Sequence, residues 1–161
     1  MSHKALVAYS LLAGLTVCTQ VCAAEGKYDH QSCYAGPIHL IQHADGIVSA
    51  SYDVTGMTMS DTEGSPFGML SGRCVGSFTI VSGDYNETGG CEYWNAAGDK
   101  FAGIYARKGD PAKAEGTWHA VHGTGKFAGM TQEGNWMPIA FPPVPNVASN
   151  CNREWGTYSI K

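Results

Sequence analysis

The segment His119-Ala-Val-His122 places two imidazoles three residues apart, and His39 and His43 stand four apart nearer the N-terminus. Imidazole titrates near neutrality, so either pair invites two kinds of chemistry: holding a metal ion, or moving a proton as general acid or base. Metal ligation at the first spacing needs a helix, because on a strand an odd spacing sends the two side chains to opposite faces. On a strand the second pair shares a face but lies about 13 Å apart along it, too far for one ion. One histidine looking into a dry interior, His119 or His122, is therefore the sharper expectation. The plainer one is that both are satisfied surface or core groups. Glu92 joins them as a candidate proton carrier, since beside Tyr93 and Trp94 an inward carboxyl would lose water and rise in pKa. A solvated Glu92 is the simpler alternative. Asp53 is in phase with Ser49 and Ser51 and reads as solvent-facing, and Asp99 reads as a turn residue.

Six aromatic residues could shape a binding pocket: Tyr52, Tyr93, Trp94, Tyr105, Trp118 and Trp136. Such rings stack on a flat or apolar guest, or else fill a core. No Ser-His-Asp order, nucleophile elbow or phosphate loop accompanies them, and no motif calls for a cofactor. Gly123-Thr-Gly125 lacks the strand-to-helix context that anion-binding glycines require.

The N-terminus speaks to compartment. Lys4, the apolar run Ala5 to Val17 and the small residues Cys22-Ala-Ala24 before Glu25 read as a secretory signal peptide over residues 1–24. One domain over residues 25–161 follows, secreted or periplasmic. The apolar run is too short to span a bilayer, and nothing later is apolar for long enough. A lipoprotein anchor at Cys18 or Cys22 is the rival, and Val17 or Val21 ahead of the cysteine suits it poorly. Cleavage leaves Cys33, Cys74, Cys91 and Cys151, an even set that predicts two disulfides with three connectivities open. The favoured pairing joins Cys33 to Cys151, near the chain ends, and Cys74 to Cys91 across a hairpin. Close pairs of the zinc type are missing. A net charge of −4 without Lys/Arg clusters argues against nucleic acid and anionic membrane as partners.

These groups need elements to position them, and helical periodicity is almost absent. Twenty-one glycines and frequent turn signals point to many short antiparallel strands. Expected strands cover Ile38–His43, Ile47–Met57, Phe67–Val81 (interrupted near Ser71-Gly72), Cys91–Trp94 and Lys100–Arg107. Within the second, Ala50, Tyr52 and Val54 share one face. Thr117–His122 then runs into a tight Gly123-Thr-Gly125 hairpin whose return begins at Lys126 and Phe127 and continues through Met130–Trp136. Phe141-Pro-Pro-Val-Pro145 must be an extended surface segment, and Trp155–Ile160 closes the chain. About eight strands in meander order leave two long edges unless the sheet closes into a barrel. Eight strands make a barrel wide enough for packed side chains or one small ligand, with a β-sandwich as the other solution.

Gly123-Thr-Gly-Lys-Phe-Ala-Gly129, with Gly134-Asn-Trp136, resembles the glycine-rich hairpin of bacterial secreted barrels related to the allene oxide cyclase and dirigent families. Gly90-Cys-Glu-Tyr-Trp-Asn-Ala-Ala-Gly-Asp-Lys100 resembles a recurrent hairpin of the same sequences. The resemblance covers roughly Gly90 to Trp136. It implies an eight-stranded calycin-like barrel with an internal apolar cavity, and it is compatible with a homo-oligomer. Some members are cofactor-free cyclases or stereochemical guides. The matching residues form turns, and none corresponds to a catalytic residue of the plant enzymes, so their reaction does not carry over. The expected function is a secreted barrel that binds a small apolar or aromatic molecule. The alternatives are a cofactor-free isomerase, cyclase or lyase using a histidine or carboxylate in that cavity, and a structural or interaction protein with a filled core.

Overall fold

The computed structural model describes residues 23–161 apart from 44, 45, 61, 112, 140–144 and 146. The expected signal peptide up to residue 22 and most of the proline-rich segment, 141–144, lie outside the described residues. Eight strands follow one another: β1 (Ala24–Gln42), β2 (Ile47–Met59), β3 (Leu70–Val81), β4 (Asp84–Trp94), β5 (Lys100–Gly109), β6 (Gly116–Gly123), β7 (Thr131–Ile139) and β8 (Val147–Ile160). Each pairs antiparallel with the next, and β8 returns to β1, so the sheet closes into an eight-stranded all-β barrel. Closure needs a stagger, and β1 supplies it. Its N-terminal part pairs with β8 over Ala24–Pro37, and its C-terminal part with β2 over Gln31–Gln42.

Several strands run longer than the sequence predicts, for one reason: inward positions are often polar or glycine. β1 starts at Ala24 rather than Ile38, because its inward face includes His30 and Ser32 beside Tyr28 and Tyr34. β8 starts at Val147 rather than Trp155, because Asn152 and Glu154 alternate with its outward residues. β3 crosses Ser71-Gly72 without interruption, since Gly72 is an inward position beneath the Tyr93 ring. β4 starts at Asp84 rather than Cys91, after the two-residue turn Ser82-Gly83, whose φ angles of 52° and 90° fit a tight hairpin.

One end of the barrel is plugged. The loop between β2 and β3 delivers Phe67, and the loop between β6 and β7 delivers Phe127; both side chains are wholly buried. Phe67 meets Phe101 edge-on at 5.8 Å and Tyr158 at 5.1 Å, and stacks on Phe127 at 6.4 Å. Burying a side chain of this size contributes about 1.5–3 kcal/mol. Lys126 Nζ donates to Pro66 O at 3.1 Å and joins the two loops. Here the expected Gly123-Thr-Gly125 hairpin is corrected. Gly125–Phe127 form a 3-10 turn, Phe127 is a plug rather than a strand residue, and the return strand waits until Thr131.

The disulfides are Cys33–Cys151 and Cys74–Cys91, the favoured pairing. Each joins residues directly opposite on neighbouring strands. The first fastens β1 to β8, where chain end meets chain start, and the second lies on the inner wall. Among the described residues no helix is long and apolar enough to cross a membrane.

Candidate functional site

Away from the plug the barrel is not filled. A cavity of about 370 Å³ reaches the other end, among Ile38, Phe78, Pro111, Pro138 and Val147. That volume falls within the range of small-molecule sites. Glycines on the inner wall give its rings their places. A Cβ at Gly76 or Gly89 would collide with the Tyr105 hydroxyl, so these two positions let the phenol swing across β3 and β4.

The best-connected polar group in the cavity is a chain of four side chains. Glu87 and Arg107 stand opposite each other on β4 and β5, with Nε donating to Oε2 at 3.1 Å. Tyr52 from β2 donates to the other oxygen, Oε1, at 2.5 Å. Since the Tyr52 proton is committed there, Tyr105 donates to Tyr52 Oη at 2.7 Å. Arg107 also donates to Pro111 O at 3.3 Å and lies between two rings, 4.6 Å from the centre of Tyr85 and 4.9 Å from that of Trp136. Burial raises the phenol pKa of Tyr52, and the charge of Glu87 raises it further. Burial likewise pushes Tyr105 up to about 12. All these phenols are donors, not nucleophiles, near neutral pH.

A second polar group sits deeper. Tyr34 and Tyr93 share a hydrogen bond of 2.7 Å, both rings buried. His30 on β1 faces Glu154 on β8 in register, with Nε2 to Oε2 3.1 Å. Glu154, Asn152 and Asn150 form a polar stripe down the inner face of β8, opposed by aromatic residues on the other strands. Trp118 Nε1 donates to Gln132 Oε1 at 3.1 Å below them.

The sequence-derived candidates divide cleanly. Tyr52, Tyr93, Tyr105, Trp118 and Trp136 line the cavity, with the Cys74–Cys91 disulfide among them. Trp94 does not, because it falls on the opposite face of β4 from Tyr93. Glu92 is also on the outer face, in an ion pair with Lys100 at 2.8 Å and half exposed, rather than in the lumen. His119 points outward from β6, opposite Trp118.

His122 should have followed Trp118 inward, but a β-bulge intervenes. Ala102 pairs with His122 and Gly103 with Ala120, leaving Val121 unmatched, so both Val121 and His122 are exposed. The expectation that the two histidines take opposite faces is corrected: both lie outside. Asp53 lies on the outer face as expected, half-buried, and the Arg73 guanidinium that donates to it holds its carboxyl below the usual range. Among the described residues no group of three or more His, Cys, Asp or Glu is placed to hold a metal ion.

The residues that sequence reasoning passed over, Glu87, Arg107, His30 and Glu154, carried a signal in their phase. Arg107 continues the alternation Phe101, Gly103, Tyr105, and Glu87 lies between inward Tyr85 and Gly89. Their charge hid them. Compared with protein-family models, curated proteins and solved structures, the chain finds no match.

Proposed function

We propose that this protein is a secreted barrel that holds a small apolar or aromatic molecule in its cavity. The observation that carries the reading is open volume of about 370 Å³ beside Tyr52, Tyr93, Tyr105, Trp118 and Trp136, in a barrel whose other end is packed shut. Two disulfides support an oxidising compartment, periplasmic or extracellular. Kinship with the bacterial barrels related to allene oxide cyclases and dirigent proteins belongs to the same proposal, as does any homo-oligomer.

A second reading, a cofactor-free isomerase, cyclase or lyase, draws on Glu87 and Tyr52 in place of the histidines and Glu92. The 2.5 Å contact between phenol and carboxylate is the observation in its favour. Under that reading Glu87→Gln abolishes turnover while binding persists.

The deciding experiment is native mass spectrometry of the oxidised protein from its own source, paired with titration by the neutral apolar dye N-phenyl-1-naphthylamine. A retained guest, or dye uptake that Ile38→Trp weakens at the cavity mouth, supports the reading. A clean apo mass together with no dye uptake refutes it.

A further inference from the structure

The cavity wall carries two carboxylates, Glu87 and Glu154, and one guanidinium, Arg107. Arg107 is already committed to Glu87, to Pro111 O and to the two flanking rings. That accounts for one cation and one carboxylate. Glu154 is a second carboxylate on the same wall, with its side chain 15 % exposed. Among the described residues its one hydrogen-bond partner is His30, through Oε2, and Oε1 is left for something else.

His30 reaches only one oxygen of Glu154, through Nε2 to Oε2. Its Nδ1 is buried without a partner. No other cation reaches inward among the described residues: Lys113 pairs with Asp110 at 3.5 Å, and Lys108 points away from the lumen next to inward Arg107. The connection 140–146 contains no charged residue at all. The field of Glu154 is felt by its neighbours, since it adds to the effect of burial in raising the phenols of Tyr34 and Tyr93.

Aromatic walls around a carboxylate with an unpartnered oxygen suit one class of guest. We propose that the cavity selects a protonated amine carried on an apolar or aromatic body, with the ammonium against Glu154 Oε1. This rests on the binding reading above and names the chemistry of its guest. The ammonium would meet a charged acceptor, and the neighbouring ring faces attract a cation rather than repel it. A carboxylate guest would meet the opposite conditions: a second negative charge on the wall, and a guanidinium that Glu87 already holds.

Three compounds that differ only in their polar end provide the test: tryptamine, tryptophol and indole-3-acetate. Their affinities for the full oxidised protein are measured by calorimetry at neutral pH and low salt, with N-phenyl-1-naphthylamine as an uncharged reporter of the cavity. Tryptamine is expected to bind about tenfold or more tighter than tryptophol, as a charge-assisted hydrogen bond allows, with indole-3-acetate weakest. Glu154→Gln keeps an oxygen for His30 Nε2. It should bring tryptamine down to the level of tryptophol, each affinity read relative to dye uptake by the same variant. Indole-3-acetate binding as tightly as tryptamine, or an amine preference that survives Glu154→Gln, would overturn the proposal. Dye uptake without discrimination among the three overturns the amine inference and leaves the binding reading standing. No uptake of dye or indoles overturns both.

Discussion

Glu87 and Arg107 meet across β4 and β5 with side chains only 9 % and 8 % exposed, which makes them a buried ion pair in a wall of aromatic rings. Taking two charges out of water is costly, and mutual attraction with additional hydrogen bonds only offsets that cost. Breaking the pair is therefore worse than replacing it. Arg107→Met, which leaves Glu87 unpaired, is expected to cost about 3–5 kcal/mol in urea unfolding. Adding Glu87→Gln, which keeps an acceptor for Tyr52, should recover most of the loss. A double variant as unstable as the single one would contradict this account.

The two disulfides should differ in weight. Cys33–Cys151 closes a loop of sequence separation 118 and Cys74–Cys91 one of 17. Chain entropy assigns about 5 kcal/mol to a loop of the first size and about 3 kcal/mol to one of the second. Double Cys→Ala variants, compared by thermal midpoint, should show the larger drop for the pair that ties β1 to β8.

Histidines on the outer face should be silent in the cavity. His119→Ala and His122→Ala, separately or together, are expected to change stability by less than about 0.5 kcal/mol. Guest affinity measured by dye titration should not move. A loss of binding in the His122 variant would mean that the β6 bulge does not turn His122 away from the lumen.

Gly89 is small because Tyr105 lies over it. Gly89→Ala forces the ring aside, breaks its hydrogen bond with Tyr52 and costs about 1–3 kcal/mol by overpacking. Guest affinity falls with it, since the displaced ring intrudes on the cavity. The paired measurement, urea midpoint against dye affinity, separates this from a change confined to the surface.

The buried phenols set an alkaline limit. Burial raises Tyr105 from 10.0 to about 12, so at high pH the unfolded chain gives up this proton first. The contribution to stability is whole below pH 10 and is lost as the pH rises through about 12. Tyrosine ionisation followed by ultraviolet absorbance should therefore lag in the folded protein and coincide with alkaline unfolding. Ionisation of every tyrosine near pH 10, with the fold intact, would contradict the burial of this cluster.

The amino-acid pattern carried the class of fold and much of its detail. Alternation through Ala50, Tyr52 and Val54 placed the inner face of β2, and four cysteines after the expected leader gave the disulfides that form. Five of six aromatic candidates line the cavity, because large rings on a two-residue period have only the lumen to enter. The candidate proton carriers went astray for a different reason. Histidine and glutamate were judged by chemical aptitude, while the side they occupy is set by phase and by a bulge at Val121 that no local residue pattern announces.

By itself the sequence determined that strands would form, that they would pair in meander order, and that oxidised cysteines would staple them. Each follows from local spacing: period-two alternation, turn residues, and the number of thiols. Only the tertiary structure decided which charged side chains face inward and whether the lumen is full. Phe67 and Phe127 come from separate loops to close one end, while Glu87 and Glu154 reach the cavity from strands 67 residues apart in sequence by their numbering. Burial of a carboxylate depends on the cation or donor that the fold brings across to it, and that partner is remote along the chain.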